Sequence, residues 1–364
     1  MGAPKLVVRV VKVLLFLSLF PASSHASSLD SARALLDEGW MNKAKDILEP
    51  IVESDEDNAE ALYLLGRTYL ILDDHDEAEK YLKRARELDT TRYEYFLSYG
   101  NAIGLKAARG SKLKAAFRAR SCRDAYQSAV ELAPDSVGPR TALIEFHMQA
   151  PGRIAGGDKD KARAQLDTLF MLDSAKGHII RAGLLEFQEQ DTANAELQYL
   201  MAVQVDTTRK ESLYRLAGYY QRHQAFDKAE PVYQGILRLD SSETAARMQL
   251  GFMYQVQDRF GEAFEQFYAV LTIDSTELGA LYQIGRTAVL SESELPLGEK
   301  AFRRYLQADL KPSWPDKASA HWRLAMLYEL QGRRDEALAE IDRALAINPR
   351  HPEAVEFRRA LGRR

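Results

Sequence analysis

Along most of the chain apolar residues return every three or four positions, in blocks separated by short polar or proline-containing turns. That period puts one apolar stripe on each of a series of amphipathic helices, and no run alternates or gathers β-branched residues as a strand would. A longer rhythm overlies the short one. Residues 59–92 carry Leu65, Gly66 and Tyr69 on one helical face and Ala78, Leu82 and Ala85 on the next. The same offsets return in 210–243 (Leu216, Ala217, Tyr220, Ala229, Tyr233, Ile236), in 244–277 (Leu250, Gly251, Tyr254, Ala263, Phe267, Val270) and in 318–351 (Leu324, Ala325, Tyr328, Ala337, Ile341, Ala344, with Pro349 in the closing turn). A period of about 34 residues with two helices per unit predicts a repeat array, in which each pair buries its stripe against its neighbours.

These residues resemble the tetratricopeptide repeat. Its position 8 is small so that the two helices of a unit can approach, its position 20 is small so that the second helix packs closely, and positions 7, 11, 24 and 27 supply larger apolar contacts. Weaker copies fill the gaps. Residues 176–209 keep Gly183, Ala195, Tyr199 and Ala202 with Glu186 where an aromatic is expected; 278–317 keep Ile284 and Gly285 and end in "KPSWPDK"; 27–58 keep Ala32, Leu35, Ala44, Leu48 and Ile51. Two units, 93–136 and 137–175, are lengthened, the first ahead of Cys122 and the second ahead of Ala162. The expected fold is therefore all-α: a solenoid of about nine units, implied by the resemblance to be a right-handed superhelix, with 352–364 as a C-terminal capping helix.

The first 26 residues stand apart. Lys5, Arg9 and Lys12 precede the apolar stretch 13–20, and "PASSHA" ends on small residues, the pattern of a secretory signal peptide cleaved near Ala26. Its apolar run is much shorter than the roughly 20 residues that span a bilayer. Loss of those three cations takes the formal charge from −4 to −7, which argues against a general nucleic-acid binder. Cys122 is the single cysteine and has no internal disulfide partner, and no Asn-x-Ser/Thr sequon occurs. Together these features predict a periplasmic or secreted bacterial protein.

Candidate chemistry is sparse. The segment 150–162, "APGRIAGGDKDKA", has the glycine separation of a phosphate-binding loop, yet Asp158 stands where the lysine belongs and Lys159 where the hydroxyl belongs, and no strand precedes it. A lengthened turn with Asp158 or Asp160 capping the following helix fits better. Cys122 falls at a tight small-residue position and reads as buried. The histidines are scattered with no metal-ligand spacing, no nucleophile elbow occurs, and neither cofactor nor metal is expected. Lys106, Arg109, Lys112, Lys114, Arg118, Arg120 and Arg123 gather against Asp124 alone, a local reversal of charge that could meet an anionic surface.

In the resembled family, positions 2, 5, 9 and 12 face the concave groove. They give Tyr63 and Arg67, then Ile180, Leu184 and Phe187, then Tyr214, Met248 and Phe252, then Tyr282 and Arg286, and last Trp322 and Met326. Aromatic and methionine side chains suit an interface. Members that bind acidic chain ends hold a clamp of Lys and Asn at positions 5 and 9. Here those positions hold Tyr63, Leu97, Tyr214, Met248 and Tyr282, with Asn101 alone matching, so that mode is not expected. The expected function is an exported, non-catalytic scaffold, resembling exported bacterial repeat proteins of unassigned role, that holds a protein or peptide segment in its groove. The alternative is an envelope or membrane-surface factor docking through the basic hairpin at 105–123. No nucleic acid and no small-molecule substrate is expected.

Overall fold

The computed structural model describes residues 22–109 and 112–363. The signal segment read from residues 1–26 lies outside them, apart from the backbone of 22–26, which opens the first helix. In chain order the helices are α1 (Ala22–Asp37), α2 (Met41–Ser54), α3 (Ala59–Ile71), α4 (His75–Leu88), α5 (Tyr93–Arg109), α6 (Lys112–Leu132), α7 (Val137–Gln149), the single turn α8 (Gly152–Ala155), α9 (Lys159–Leu172), α10 (Ser174–Leu184) and α11 (Thr192–Val205). They continue with α12 (Lys210–Arg222), α13 (Phe226–Leu239), α14 (Thr244–Val256), α15 (Phe260–Ile273), α16 (Gly279–Ser291), α17 (Leu295–Gln307), α18 (Lys317–Leu330), α19 (Arg334–Ile347) and α20 (Pro352–Arg363). No strand occurs among the described residues, and the fold is an all-α solenoid.

Local chemistry sets the helix ends. Asn58, Asp74, Asp158, Asp173, Asp191 and Asp316 each accept from a backbone N–H in the first turn of the helix that follows. A second aspartate motif closes several pairs of helices. Asp89, Asp206, Asp240 and Asp274 accept from the backbone N–H and the hydroxyl of the residue two places on, Thr91, Thr208, Ser242 and Thr276. That side-chain turn substitutes for the next helical bond and ends the helix.

Small residues set the distance within a pair. A Cβ on Gly66 would lie 2.6 Å from Leu82 Cγ, one on Gly251 2.4 Å from Phe267 Cε1, and one on Gly285 2.5 Å from Phe302 Cε2. Apart from the single turn α8, which lies against α6 while α7 packs on α9, each helix packs on the one before it and the one after it, and the first helices of successive pairs also touch one another: α3 on α5, α5 on α7, α10 on α12, α16 on α18. Among the described residues the second helices make no comparable contact, so the array curves with the first helices on the inner wall. The core is a ribbon that follows the array, in clusters around Leu48 and Leu65, Ile103 and Leu143, Leu166 and Leu169, and a long C-terminal one from Ala182 to Leu361.

Neighbouring pairs are also tied by polar links. Tyr69, Tyr220, Tyr254 and Tyr328 donate to Glu49, Glu196, Glu230 and Glu299 of the preceding pair. Arg259 and Arg333 bind the last two of those carboxylates as well. Where Glu186 replaces the tyrosine, the helix ends in a π-turn, Leu185–Glu189, and the carboxylate is buried. It accepts from Arg222 Nε and Nη2 at 2.9 and 2.8 Å and from Tyr199 Oη at 3.0 Å. Burial pushes the Glu186 pKa up, but Arg222 and the hydrogen bonds outweigh it and hold the carboxyl below its usual range.

One contact joins the two ends of the array. The Trp40 and Trp314 rings meet edge to face at 6.1 Å, Lys311 lies 5.6 Å and 5.0 Å from their centroids, and Lys43 pairs with Asp309 at 3.5 Å. The turn after α1 therefore touches the connector before α18.

Candidate binding groove

The inner wall is built by α3, α5, α7, α10, α12, α14, α16 and α18, and the groove residues expected from the sequence divide into two sets on it. Half-buried and partly open are Tyr63, Arg67, Tyr214, Met248, Phe252, Arg286, Trp322 and Met326. Tyr63 lies 4.7 Å from the Tyr95 ring with the Arg67 guanidinium 5.5 Å over its own ring. Tyr214 sits 6.2 Å from Tyr233 and Phe252 5.8 Å from Phe267, so each ring rests on the core and is half-buried. Phe187, 60% exposed, projects from the π-turn beneath Arg222, 5.3 Å away.

The other set is buried in the structure. Ile180 and Leu184 are buried in one cluster with Ile144, Leu166 and Leu169, and Tyr282 is buried between Phe302 and Tyr305 at ring distances of 5.7 and 5.5 Å. These three pack in the seam between neighbouring helices and leave less than a tenth of their surface open. An offset in the repeat gives the direction of a Cα–Cβ bond, but not whether the next helix covers it.

Polar groups that the expectation missed lie on the same wall. Gln255, Gln283 and Thr287 are buried. Gln255 Nε2 donates to Thr287 Oγ1 at 2.7 Å, and Arg286 Nη1 donates to Gln255 Oε1 at 2.8 Å. Glutamines inside "GFMYQV" and "ALYQIGRT" were the readable signal, since a polar side chain in an apolar helix needs a partner. Burial and then Arg323 hold the Arg286 guanidinium below its ordinary pKa. Glu145, on α7, keeps an exposed side chain, yet the protein around it pushes its carboxyl up against the opposing pull of Lys176 and Arg215.

The basic hairpin is less basic than its composition. Lys106 is shared by Asp76, at 2.6 Å, and Glu79; Arg123 binds Asp124 at 2.6 Å; Arg120 Nε donates to Ile154 O at 3.2 Å; and Arg118 adds to the field that lowers the Asp76 pKa behind Lys106. Lys114 is exposed. The side chains of Arg109 and Lys112 lie outside the described residues. Phe117, beside these cations, is 75% exposed.

The glycine-rich segment 150–162 forms α8 and a turn. Gly156 takes φ +85°, and Asp158 accepts from the Asp160 and Lys161 N–H groups as the cap of α9. A carboxylate thus occupies the amides that a phosphate would need. Cys122 is buried, donates to Gly100 O at 3.2 Å, and burial raises its thiol to about 11. Among the described residues no His, Cys, Asp or Glu group of three or more is placed to hold a metal, and no helix is long and apolar enough to cross a membrane.

Family models of the tetratricopeptide repeat match residues 28–97 and 318–351. No curated protein matches the chain. Among solved structures, a thermophilic repeat protein of Thermus thermophilus is 17% identical, with 54% of this chain and 99% of its own covered and a TM-score of 0.46. The PilF protein of Pseudomonas aeruginosa is 17% identical, with 61% and 97% covered and a TM-score of 0.44. A repeat protein of Parabacteroides merdae is 11% identical, with 83% and 98% covered and a TM-score of 0.43.

Proposed function

We propose that this chain, which is a tetratricopeptide-repeat protein, serves as an exported bacterial scaffold that holds a peptide or protein segment against the inner wall of its solenoid. Proteins of this family bind protein or peptide partners in general, and the repeat is in general a non-catalytic scaffold. The observation that carries the reading is the row Tyr214, Met248, Phe252, Trp322 and Met326 on α12, α14 and α18, which rest on the core and are still only half-buried. Such side chains offer large, adaptable contact area on a rigid backbone.

The test is photo-crosslinking in cells from an unnatural residue at Met326 or Phe252, with Phe252→Glu and Met326→Glu as controls in affinity capture. Both variants should lose the crosslinked partner while keeping the helical circular dichroism of the parent. A partner retained by both refutes the placement. Export is tested by cell fractionation and by the mass of the processed chain, expected to begin at Ser27; an intact N-terminus in the cytoplasm refutes it.

A second reading, docking on an anionic membrane through α5 and α6, draws support from Phe117 among Lys114, Arg118 and Arg120, an apolar side chain set in a cationic rim. Flotation with phosphatidylglycerol vesicles should then be lost in Phe117→Glu and at high salt. Absence of flotation by the parent chain ends that reading.

A further inference from the structure

Several turns that join the two helices of a pair share one geometry. Asp73, Gln224, Asp258 and Gly332 take positive φ, and the N–H groups of the residues that follow, Asp74, Ala225, Arg259 and Arg333, donate to Tyr69, Tyr220, Tyr254 and Tyr328 O. In the first pair Gly39 takes φ +86°, and the residue that follows it, donating to Leu35 O at 2.7 Å, is Trp40. The turn itself does not ask for a large ring: the equivalent positions hold alanine or a charged residue, and the Trp40 side chain makes no capping hydrogen bond. Trp40 also lies outside the four core clusters, although Met41 beside it packs on the N-terminal one. Its ring is used across the array instead, edge to face with Trp314 at 6.1 Å, and Lys43, 4.1 Å from its centroid, reaches Asp309 at 3.5 Å.

The receiving connector, 308–316, is anchored on its own side. Tyr305 Oη donates to Pro315 O at 2.5 Å, Trp314 N–H to Lys311 O at 3.0 Å, Asp316 caps α18, and Trp314 rests on the C-terminal core. Between the two ends the contact is of another kind. Both tryptophans are only half-buried, the Lys43 and Asp309 side chains are 49% and 82% exposed, and no core cluster among the described residues spans the junction. An aromatic pair, cations over rings and one exposed ion pair are each weak, and they separate without disturbing the packing of either end.

We infer that Trp40 and Trp314 form a reversible clasp, with Lys43, Lys311 and Asp309 as its polar half, that closes the solenoid on itself and sets how widely the inner wall opens. The clasp needs no ligand, so it stands or falls independently of the groove reading above.

Electron–electron double resonance between spin labels on Ala34→Cys in α1 and Gln307→Cys in α17, both exposed positions, measures the separation of the ends in the full chain carrying Cys122→Ala. The parent should show a short main distance and a minor, longer population. Trp40→Ala should raise the ratio of long to short roughly tenfold, the weight of an aromatic pair. Trp40→Phe, which keeps a ring for Trp314, should restore most of the short population, and Lys311→Gln, which leaves both rings and both cores intact, should still shift the ratio toward the long form. High salt should shift it the same way by screening Lys43 and Asp309. A parent with the long distance alone overturns the contact. A short distance that Trp40→Ala and Lys311→Gln both leave unchanged means that the curvature of the stack alone brings the ends together, and overturns the clasp. A Trp40→Phe chain as open as Trp40→Ala overturns the part given to the ring contact.

Discussion

Gly251→Ala sets two opposed effects against each other. Alanine inside a helix is favoured over glycine by about 1 kcal/mol. The added methyl would lie 2.4, 2.6 and 2.9 Å from Cε1, Cζ and Cδ1 of Phe267, a ring that is 0% exposed and has no free space to turn into. The nearest approach is about 1 Å inside a carbon–carbon contact, and overpacking of this kind costs about 1–3 kcal/mol. The clash wins, for a net loss of about 1 kcal/mol. Phe267→Ile alone removes three carbons and should cost roughly 2 kcal/mol. The double variant copies Ala325 and Ile341, which occupy the same offsets in α18 and α19, both fully buried. There the methyl fills space instead of colliding, so the double variant should lose only about 1 kcal/mol rather than the additive sum of about 3, a coupling of about 2 kcal/mol. Urea unfolding followed by circular dichroism gives the cycle. Since repeats can unfold in parts, native-state hydrogen exchange on α14 and α15 checks that the local stability is what changed. A Gly251→Ala chain that is more stable than the parent, or a cycle additive within about 0.5 kcal/mol, refutes the reasoning.

Arg222→Gln should destabilise the chain at neutral pH by about 2–3 kcal/mol, because it leaves Glu186 buried with too little compensation. The Glu186 carboxyl is depressed in the folded chain, so its stabilising contribution is full above the unfolded pKa, about 4.3, and fades as pH falls through the lower folded value. Urea midpoints of parent and variant should therefore converge in acid; a gap independent of pH contradicts the assignment. Cys122, with its thiol raised to about 11, should resist alkylation until urea unfolds α5 and α6, and labelling at the native rate of an exposed thiol would contradict its burial. Tyr254→Phe should cost about 1 kcal/mol through the lost bond to Glu230, read as faster exchange at the junction of α13 and α14; unchanged exchange would show that the link contributes nothing. Trp40→Ala should speed exchange of the connector at 308–316, and if exchange there is unchanged the Trp40–Trp314 contact does not hold it.

Leu65–Gly66–Tyr69 against Ala78–Leu82–Ala85, and its copies, determined the all-α repeat fold from the sequence alone, because the requirement is local. Two helices joined by a short turn can approach only where one presents a small residue to the other, and that pairing is written at fixed offsets within one unit. A cap at Asp158 or Asp160 was likewise legible, since a cap acts on the three residues that follow it, and the structure selects Asp158. What lies between units was not legible. Tyr282 and Tyr214 share an offset, yet the first is buried and the second half open, because the curvature of the array and the ring sizes in the next pair decide which is covered. The apparent charge of the basic hairpin fell once Lys106 met Asp76 and Glu79 across the stack, and Trp40 met Trp314 only because the array brings its ends together. The Arg286 guanidinium is likewise held below its ordinary pKa by burial and by Arg323 on a neighbouring helix: charge at each position is written in the sequence, but which charges come within reach is decided by the tertiary structure.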